Sequence, residues 1–231
     1  MERDLRTAFL NDEFVMHYQP LVNLQSGKIS ALEALIRWNH PERGTLLPVD
    51  FIPFAEETPQ ILPIGEWALR LACKHAATWP GAIGVTGSTL ACVHRLRALG
   101  VRIAMDDFGT GHSSLRTLRN CPFDRSKIDE CFVHDLLSKP DSRAIIQAVA
   151  QMAGSLGLKT TAEGVETEGE LDYLKRVGCT EAQGYLFSKA VPAEQVCALL
   201  ARQSTADASV SRAKQAGRRS RPSSEGRRLA Q

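Results

Sequence analysis

The sequence predicts an α/β fold built on a parallel sheet or barrel. From Phe14 onward, short β-rich runs alternate with helical patterns, an order that favours this class over a helical bundle or a β-sandwich. Strand after strand also ends in a polar or ionisable side chain, and in a β/α barrel chemistry takes place at the carboxyl ends of the strands, above apolar interior layers. With 231 residues, 43% of them hydrophobic, the chain is long enough to bury one core, so we expect one domain.

The expected strands and helices follow from hydrophobic periodicity. Helices are predicted over 64–79 and 141–156, each with apolar residues on one face. Thr167 and Glu170 form a T-x-x-E capping box, and Pro192 suits the first turn of a last helix. The predicted strands are 14–21, 29–38, 101–105, 126–129, 158–162 and 182–187.

Composition excludes several classes of protein. The six cysteines lie at irregular intervals without a C-x-x-C pair, which indicates isolated thiols rather than a zinc or redox site. No run approaches the roughly 18 apolar residues of a membrane span, and the amino terminus lacks a signal-like apolar stretch. We therefore expect a soluble, cytoplasmic protein.

The carboxyl-terminal segment differs from the rest of the chain. Residues 203–231 hold seven Lys/Arg against two Asp/Glu and almost no large apolar side chains. Such a segment cannot bury enough surface to offset its chain entropy, so we predict a domain over 1–202 and a basic, disordered tail over 203–231. The alternative, that its arginines form a patch for nucleic acid or an anionic membrane, is less favoured because short basic tails are common and unspecific, so we do not expect a nucleic-acid partner.

Glu33 and Arg37 are the first candidates for a functional site. A period of two puts both on one face of the strand 29–38, among apolar residues. The alternative is a plain ion pair, but the i, i+4 spacing is too long in a strand for an easy contact. Because an inward glutamate needs a partner or a metal, we favour a functional role.

Further polar residues fall at the ends of the other predicted strands. A lone D-D-x-G turn, such as the one at Asp106 and Asp107, is more often an Asx turn than a metal site, but the repetition along the chain favours a site. A ring of carboxylates with one lysine suits two divalent cations and a phosphodiester, with no covalent nucleophile. The other members of this ring are Lys127, Asp129, Glu163, Glu166 and Gln183.

These residues lie in motifs that identify a family. The chain contains E-A-L-I-R-W from Glu33, D-D-F-G-T-G from Asp106, K-I-D from Lys127, A-E-G-V-E-T from Ala162 and Q-G-Y-L-F-S from Gln183. Over about residues 10–200 it resembles the EAL domains of bacterial cyclic di-GMP phosphodiesterases. The resemblance implies a TIM-like (β/α) barrel with an irregular first strand, two Mg²⁺ or Mn²⁺ ions, and hydrolysis of cyclic di-GMP to pGpG.

The resemblance also implies a role for each matching residue. Glu33, Asp106 and Asp107 would be metal ligands, and Glu163 would be the general base or a further ligand. Lys127 would orient water or phosphate, and Gln19 and Arg37 would contact the dinucleotide. The supporting residues would be Glu166, Gln183 and Asp129.

One interval departs from the family pattern. Between Trp79 and Gly100 the family has a strand ending in N-L-S, a helix, a strand ending in E-x-T-E-S and a further helix, whereas this chain has only twenty residues. A barrel uses about 30 residues for each βα unit, so about one unit is missing between residues 79 and 100. The asparagine of N-L-S has no counterpart, and Gly84 and Gly87 stand at the two glutamate positions of E-x-T-E-S.

The gap leads to three hypotheses about function. The first is an active phosphodiesterase whose remaining ligands suffice or whose partner subunit supplies the missing ones. The second is a non-catalytic cyclic di-GMP receptor or protein-binding regulator. Because fewer oxygen ligands should lower metal affinity and turnover, we favour weak or absent hydrolysis. A third hypothesis is a decayed product that barely folds. The lost strand should also leave strain or an open edge, from which we expect a homodimer or another protein partner.

Overall fold

A computed structural model of the chain describes residues 2–80, 84–86, 104–108 and 123–202. The chain divides into two compact units, Met1–Val196 and Cys197–Gln231, and the described part of the second, residues 197–202, is helical. No helix among the described residues is long and apolar enough to cross a membrane. The predicted tail, 203–231, lies outside the described residues, so its disorder and the domain boundary at 202 stay predictions.

Helices and strands follow one another along the described residues in the mixed α/β order that the sequence predicts. The helices are α1 (Glu2–Ala8), α2 (Pro48–Glu56), α3 (Ile61–Ala76), α4 (Glu130–His134), α5 (Pro140–Ser155), α6 (Glu168–Val177) and α7 (193–202). The strands are β1 (Phe14–Asn23), β2 (Ile29–His40), β3 (Gly44–Leu46), β4 (Gly84–Thr86), β5 (Ala104–Phe108), β6 (Arg125–Ile128), β7 (Lys159–Ala162), β8 (Glu181–Ala182) and β9 (Val191–Pro192).

The strands form one sheet in the order β3-β2-β1-β8-β7-β6-β5, with β4 paired to β2 and β9 to β1. Strands β5 to β8 are parallel to one another, whereas β1 is antiparallel to both β2 and β8. This confirms the irregular first strand that the resemblance implies. Among the described residues no ladder joins β4 to β5, so the sheet is a barrel with part of its wall missing.

The position of β4 shows how the fold absorbs the missing unit. Its three residues match the E-x-T-E-S fragment, yet they pair in parallel with β2, with Gly84 opposite Ala31 and Thr86 opposite Glu33. In a sequentially wound barrel the strand beside β2 would be the one ending in N-L-S. Strand β4 therefore takes the place of the strand that the chain lacks.

Two clusters of buried apolar side chains hold the unit together. One lies among β6, β7, α5 and α6 and includes Ile128, Ile146 and Leu174, each fully buried. The other joins α1, α2 and α3 to the β1–β2 hairpin and is centred on Trp38 and Phe51. The rings of these two residues pack edge to face, with their centroids 5.7 Å apart. Each cluster packs helices against strands of the sheet, whereas whether the chain barely folds stays an open hypothesis.

Some predicted boundaries are wrong. Of the predicted strand 182–187 only Ala182 lies in the observed strand β8 (Glu181–Ala182), because the residues after it turn across the loop that follows β7. Pro192 pairs with His17 in β9 and precedes α7 rather than lying within its first turn. Of the predicted strand 101–105, residues 101–103 lie outside the described residues, and β5 continues to Phe108.

Candidate active site at the carboxyl ends of the strands

Lys127 joins two carboxylates that are far apart in the sequence. Its Nζ lies 2.8 Å from Oε1 of Glu33 and 2.6 Å from Oε1 of Glu163. Glu33 and Lys127 are both more than nine-tenths buried, and the Glu163 side chain is about one-fifth exposed. Buried charges of this kind are tolerated only when paired, so each of the three side chains holds the others in place.

Two glutamines extend this cluster. Nε2 of Gln183 donates to Oε2 of Glu33 at 2.6 Å and to Oε1 of Gln19 at 2.8 Å, and Nε2 of Gln19 donates to the carbonyl oxygen of Ser188 at 3.1 Å. Gln19 and Glu33 face each other in the β1–β2 ladder, which explains why both reach the same amide. Gln19, Glu33, Lys127, Glu163 and Gln183 thus form one connected group, hereafter the mouth cluster.

Strand ends bring these side chains together. Lys127 is the last residue but one of β6, while Glu163 and Gln183 directly follow β7 and β8. The backbone N–H of Glu163 continues the ladder by donating to the carbonyl of Ile128 at 3.0 Å. Gly164 then turns the chain at φ +69°, where a Cβ atom would lie 2.6 Å from Cβ of Glu130. A left-handed, crowded position of this kind requires glycine.

The loop after β7 and the loop after β8 are tied to each other by their backbones. Val165 donates to the carbonyl of Gln183 and accepts from the N–H of Leu186, both at 3.0 Å. At Gly184 a Cβ atom would overlap the carbonyl oxygen and amide nitrogen of Val165. The glycine therefore permits the close approach that holds Gln183 beside Glu163.

Glu170, which sequence reasoning treated only as a capping residue, also fixes the loop after β7. Its Oε2 accepts from the backbone N–H groups of both Glu166 and Thr167 at 2.9 Å, while Oγ1 of Thr167 accepts from the N–H of Glu170 at 3.3 Å. The predicted capping box is confirmed. The T-x-x-E pattern was the signal for this anchoring role.

Asp106 and Asp107 lie within β5 rather than after it. In the β5–β6 ladder, Met105 pairs with Ser126 and Phe108 with Ile128, so the two aspartates stand against the single residue Lys127. Two residues opposite one is the pattern of a β-bulge. The backbone thus places Asp106 and Asp107 at the register of the mouth cluster.

Three predicted site residues have contacts outside the mouth cluster. Nη1 of Arg37 donates to the carbonyl of Ile36 at 2.8 Å, and burial lowers the pKa of its guanidinium from the ordinary value. Asp129 caps α4 by accepting from the N–H of Cys131 at 2.8 Å. The Glu166 side chain is exposed. Within the described part of the chain, none of these three side chains is hydrogen-bonded to the mouth cluster.

The sequence predicts only apolar layers in the barrel interior below the carboxyl ends of the strands, and this prediction is wrong. At the opposite ends of the same strands, the fully buried Glu181 contacts Arg125 at 2.8 Å, Lys159 at 3.1 Å and Oγ of Ser30 at 2.8 Å. Burial would raise the pKa of Glu181, but Arg125, Ser30 and Lys159 outweigh it and lower the pKa below its ordinary value. This group, hereafter the basal cluster, lies on the strand faces that carry the mouth cluster, because residues two apart share a face.

The donor set of the mouth cluster fits a hard divalent cation. Carboxylate and amide oxygens are the ligands that Mg²⁺ and Mn²⁺ prefer. Among the described residues, no three His, Cys, Asp or Glu side chains are arranged to hold a metal. A complete site would therefore need Asp106 and Asp107, or donors of another kind, in addition to Glu33 and Glu163.

Comparison with known proteins identifies the family. The sequence model of the EAL domain family matches this chain over residues 2–90 and 81–190. An uncharacterized protein of Sinorhizobium fredii is 42% identical over 244 residues, covering 87% of this chain and 30% of its own. The bifunctional diguanylate cyclase/cyclic di-GMP phosphodiesterase MucR of Pseudomonas aeruginosa is 35% identical, covering 86% of this chain and 36% of its own. This chain thus spans about a third of the length of these relatives.

Two solved structures share the fold. The phosphodiesterase of MucR, in complex with cyclic di-GMP, superposes with a TM-score of 0.75 at 35% identity, covering 84% of this chain and 98% of the other. BlrP1 of Klebsiella pneumoniae, in complex with manganese and cyclic di-GMP, superposes with a TM-score of 0.67 at 25% identity, covering 78% of this chain and 56% of the other.

The length of the alignment supports the missing unit. The alignment with the Sinorhizobium protein is 244 positions long, but it includes only 87% of this chain, which is about 201 of its 231 residues. About 43 positions of the alignment therefore have no residue of this chain. One βα unit is about 30 residues long. The motifs, the barrel with its antiparallel first strand and the family match together show that the chain is a member of the EAL domain family with an internal deletion.

Proposed function

We propose that the chain binds cyclic di-GMP at the mouth cluster and hydrolyses it to pGpG weakly or not at all. The observation that carries this proposal is the connection of Glu33, Glu163 and Gln183, from three separate strands, through hydrogen bonds and ion pairs at one end of the sheet. The MucR and BlrP1 structures are cyclic di-GMP complexes, which supports the same ligand for this chain.

Divalent cations would be held by Glu33 and by Asp106 and Asp107, with Glu163 as a further ligand or as the general base. Mg²⁺ or Mn²⁺ supplies Lewis-acid polarisation of phosphoryl oxygens. The manganese in the BlrP1 complex supports this choice of metal. Binding should be weaker than in an intact EAL domain, because the N-L-S asparagine is absent and glycine stands at both glutamate positions of E-x-T-E-S.

The chain's own residues have roles that follow from their contacts. Lys127, between two carboxylates, presents a buried cation that can orient a phosphate or a water molecule. Gln19 and Arg37 lie on neighbouring strands, from which they can contact the dinucleotide. Burial of Lys127 and Glu33 limits access of bulk water to their charges, and electrostatic interactions are stronger in such an environment.

The alternative is a receptor that binds cyclic di-GMP without hydrolysing it, or a regulator that binds another protein. The missing ligands favour it over full activity, because each lost oxygen removes charge that the cations need. The absence of a β4–β5 ladder among the described residues motivates a homodimer or other protein partner.

One pair of measurements tests the proposal. Calorimetry with cyclic di-GMP should show binding, and pGpG release in Mn²⁺ should be at least about tenfold slower than that of the MucR phosphodiesterase, a barrier difference of about 1.4 kcal/mol. Glu33→Gln should abolish any pGpG release, whereas Glu66→Gln, at an exposed glutamate, should leave it unchanged. Absence of nucleotide binding would contradict the proposal, and turnover equal to that of MucR would contradict the impairment.

A further inference from the structure

The Gln183 side chain has an acceptor that its contacts do not use. The residue is 4% exposed, and its Oε1 is buried without a hydrogen-bond partner among the described residues. Buried polar atoms in folded proteins almost always have a partner, and an exception calls for an explanation such as an ion or a ligand. This oxygen is therefore poised to bind something that the protein chain itself does not provide.

The orientation of the amide is fixed by its neighbours. Nε2 of Gln183 donates to two oxygens, Oε2 of Glu33 at 2.6 Å and Oε1 of Gln19 at 2.8 Å. If the amide of Gln183 were flipped, its oxygen instead of its nitrogen would face the oxygens of Glu33 and Gln19. Since an oxygen cannot donate to an oxygen without a proton, both hydrogen bonds would be lost. The reverse flip of Gln19 would remove its own bond to the carbonyl of Ser188. The unpartnered atom of Gln183 is thus the oxygen.

The electrostatic surroundings favour a cation over another class of ligand. Glu33 and Glu163 carry two negative charges against the single ammonium of Lys127, and β5 brings Asp106 and Asp107 to the same register. A hard divalent cation balances this excess negative charge and accepts amide oxygens as well as carboxylate oxygens as ligands.

We propose that Oε1 of Gln183 is a ligand of the divalent cation bound at Glu33. The N-L-S asparagine, which this chain lacks, would have supplied an amide oxygen. Gln183 directly follows β8, which is separated from β2 in the sheet by β1, and it supplies an oxygen of the same kind. The inference rests on the proposed function, because it concerns the same site. It adds a donor that restores part of the coordination removed by the deletion.

The test measures Mn²⁺ binding to the full chain by calorimetry, without nucleotide. Gln183→Met keeps the length and most of the volume of the side chain but replaces the hard oxygen by a soft thioether. It should weaken Mn²⁺ binding about ten- to a hundredfold, the size of effect that groups around a metal have. Ser126→Ala is the matched control, because Oγ of Ser126 is another buried oxygen without a partner among the described residues and should change the affinity less than about twofold.

A second variant keeps the proposal testable if Gln183→Met does not fold. Gln183→Glu retains an oxygen but loses the amide donor, so the metal-free protein should melt at a lower temperature, and Mn²⁺ should raise its melting temperature more than that of the parent. Equal Mn²⁺ affinity for the parent and Gln183→Met would overturn this inference while leaving the proposed metal site intact. No Mn²⁺ binding by the parent would overturn the metal part of the proposed function itself.

Discussion

The basal cluster gives a sharp prediction about stability. Glu181→Gln keeps the shape of the side chain but removes the negative charge that faces Arg125 at 2.8 Å and Lys159 at 3.1 Å. The Arg125 side chain is 5% exposed and cannot lose its proton, whereas that of Lys159 is 45% exposed and can turn toward water. The loss of stability in Glu181→Gln should therefore come mainly from the buried charge of Arg125.

The magnitude follows from the burial of this pair. Removing one partner of a buried ion pair destabilises a protein by about 3–5 kcal/mol, because the other charge loses its compensation away from water. A chain of this size loses about 2–4 °C of melting temperature for each kcal/mol. We therefore expect a fall of about 6–20 °C for Glu181→Gln.

The assay is urea unfolding followed by circular dichroism, with thermal melting as a second measurement. The matched control is Glu66→Gln, because Glu66 also contacts an arginine, Arg70, at 2.6 Å, but with side chains 64% and 78% exposed. Exposed pairs contribute about 0.2–1 kcal/mol, so this variant should be nearly neutral. A loss below about 1 kcal/mol for Glu181→Gln would refute the argument from burial.

The pH dependence of Glu181 adds an independent check. Its pKa in the folded protein lies below the ordinary value of 4.5, so the stability it contributes is fully present above pH 4.5 and is lost as the pH falls through the lower, folded-state pKa. The difference in unfolding free energy between parent and Glu181→Gln should hold at pH 7 and shrink below pH 4.5. If this difference in unfolding free energy grew as the pH fell, the prediction would be contradicted.

Two further substitutions test the loops of the mouth cluster. Gly184→Ala would bring a Cβ atom into the backbone of Val165, so we expect a loss of about 3 kcal/mol in urea unfolding, and near-neutral behaviour would mean that the two loops separate easily. Thr167→Ala removes the acceptor for the N–H of Glu170 at the start of α6, so we expect a loss of about 1 kcal/mol, whereas Thr167→Ser should be close to the parent.

The sequence predicted the residues of the mouth cluster better than the strands that carry them. Glu33, Lys127, Glu163 and Gln183 were found because polar side chains in buried strands or at strand ends break the apolar pattern, and the structure brings these four together. Their chemical roles remain predictions. Gln183 was assigned to a strand over 182–187, which was wrong because the backbone contact of Gly184 with Val165 is tertiary and leaves no periodic signal.

The basal cluster could not be predicted in the same way. Arg125, Lys159 and Glu181 begin their strands, where charged residues usually lie in solvent, and nothing in the local sequence marks them as buried neighbours. Helix α2 was also missed, since Pro48 and Pro53 suggest a loop, although Pro48 occupies the first turn, where a missing N–H is harmless. Both features depend on tertiary packing.

The ammonium group of Lys127 has a consequence for recognition. Since it holds Glu33 and Glu163 through contacts within the chain itself, these side chains would lose little conformational freedom when a ligand binds. Preorganisation of this kind lowers the entropic cost of association, so a ligand of the mouth cluster would meet side chains that are already in position.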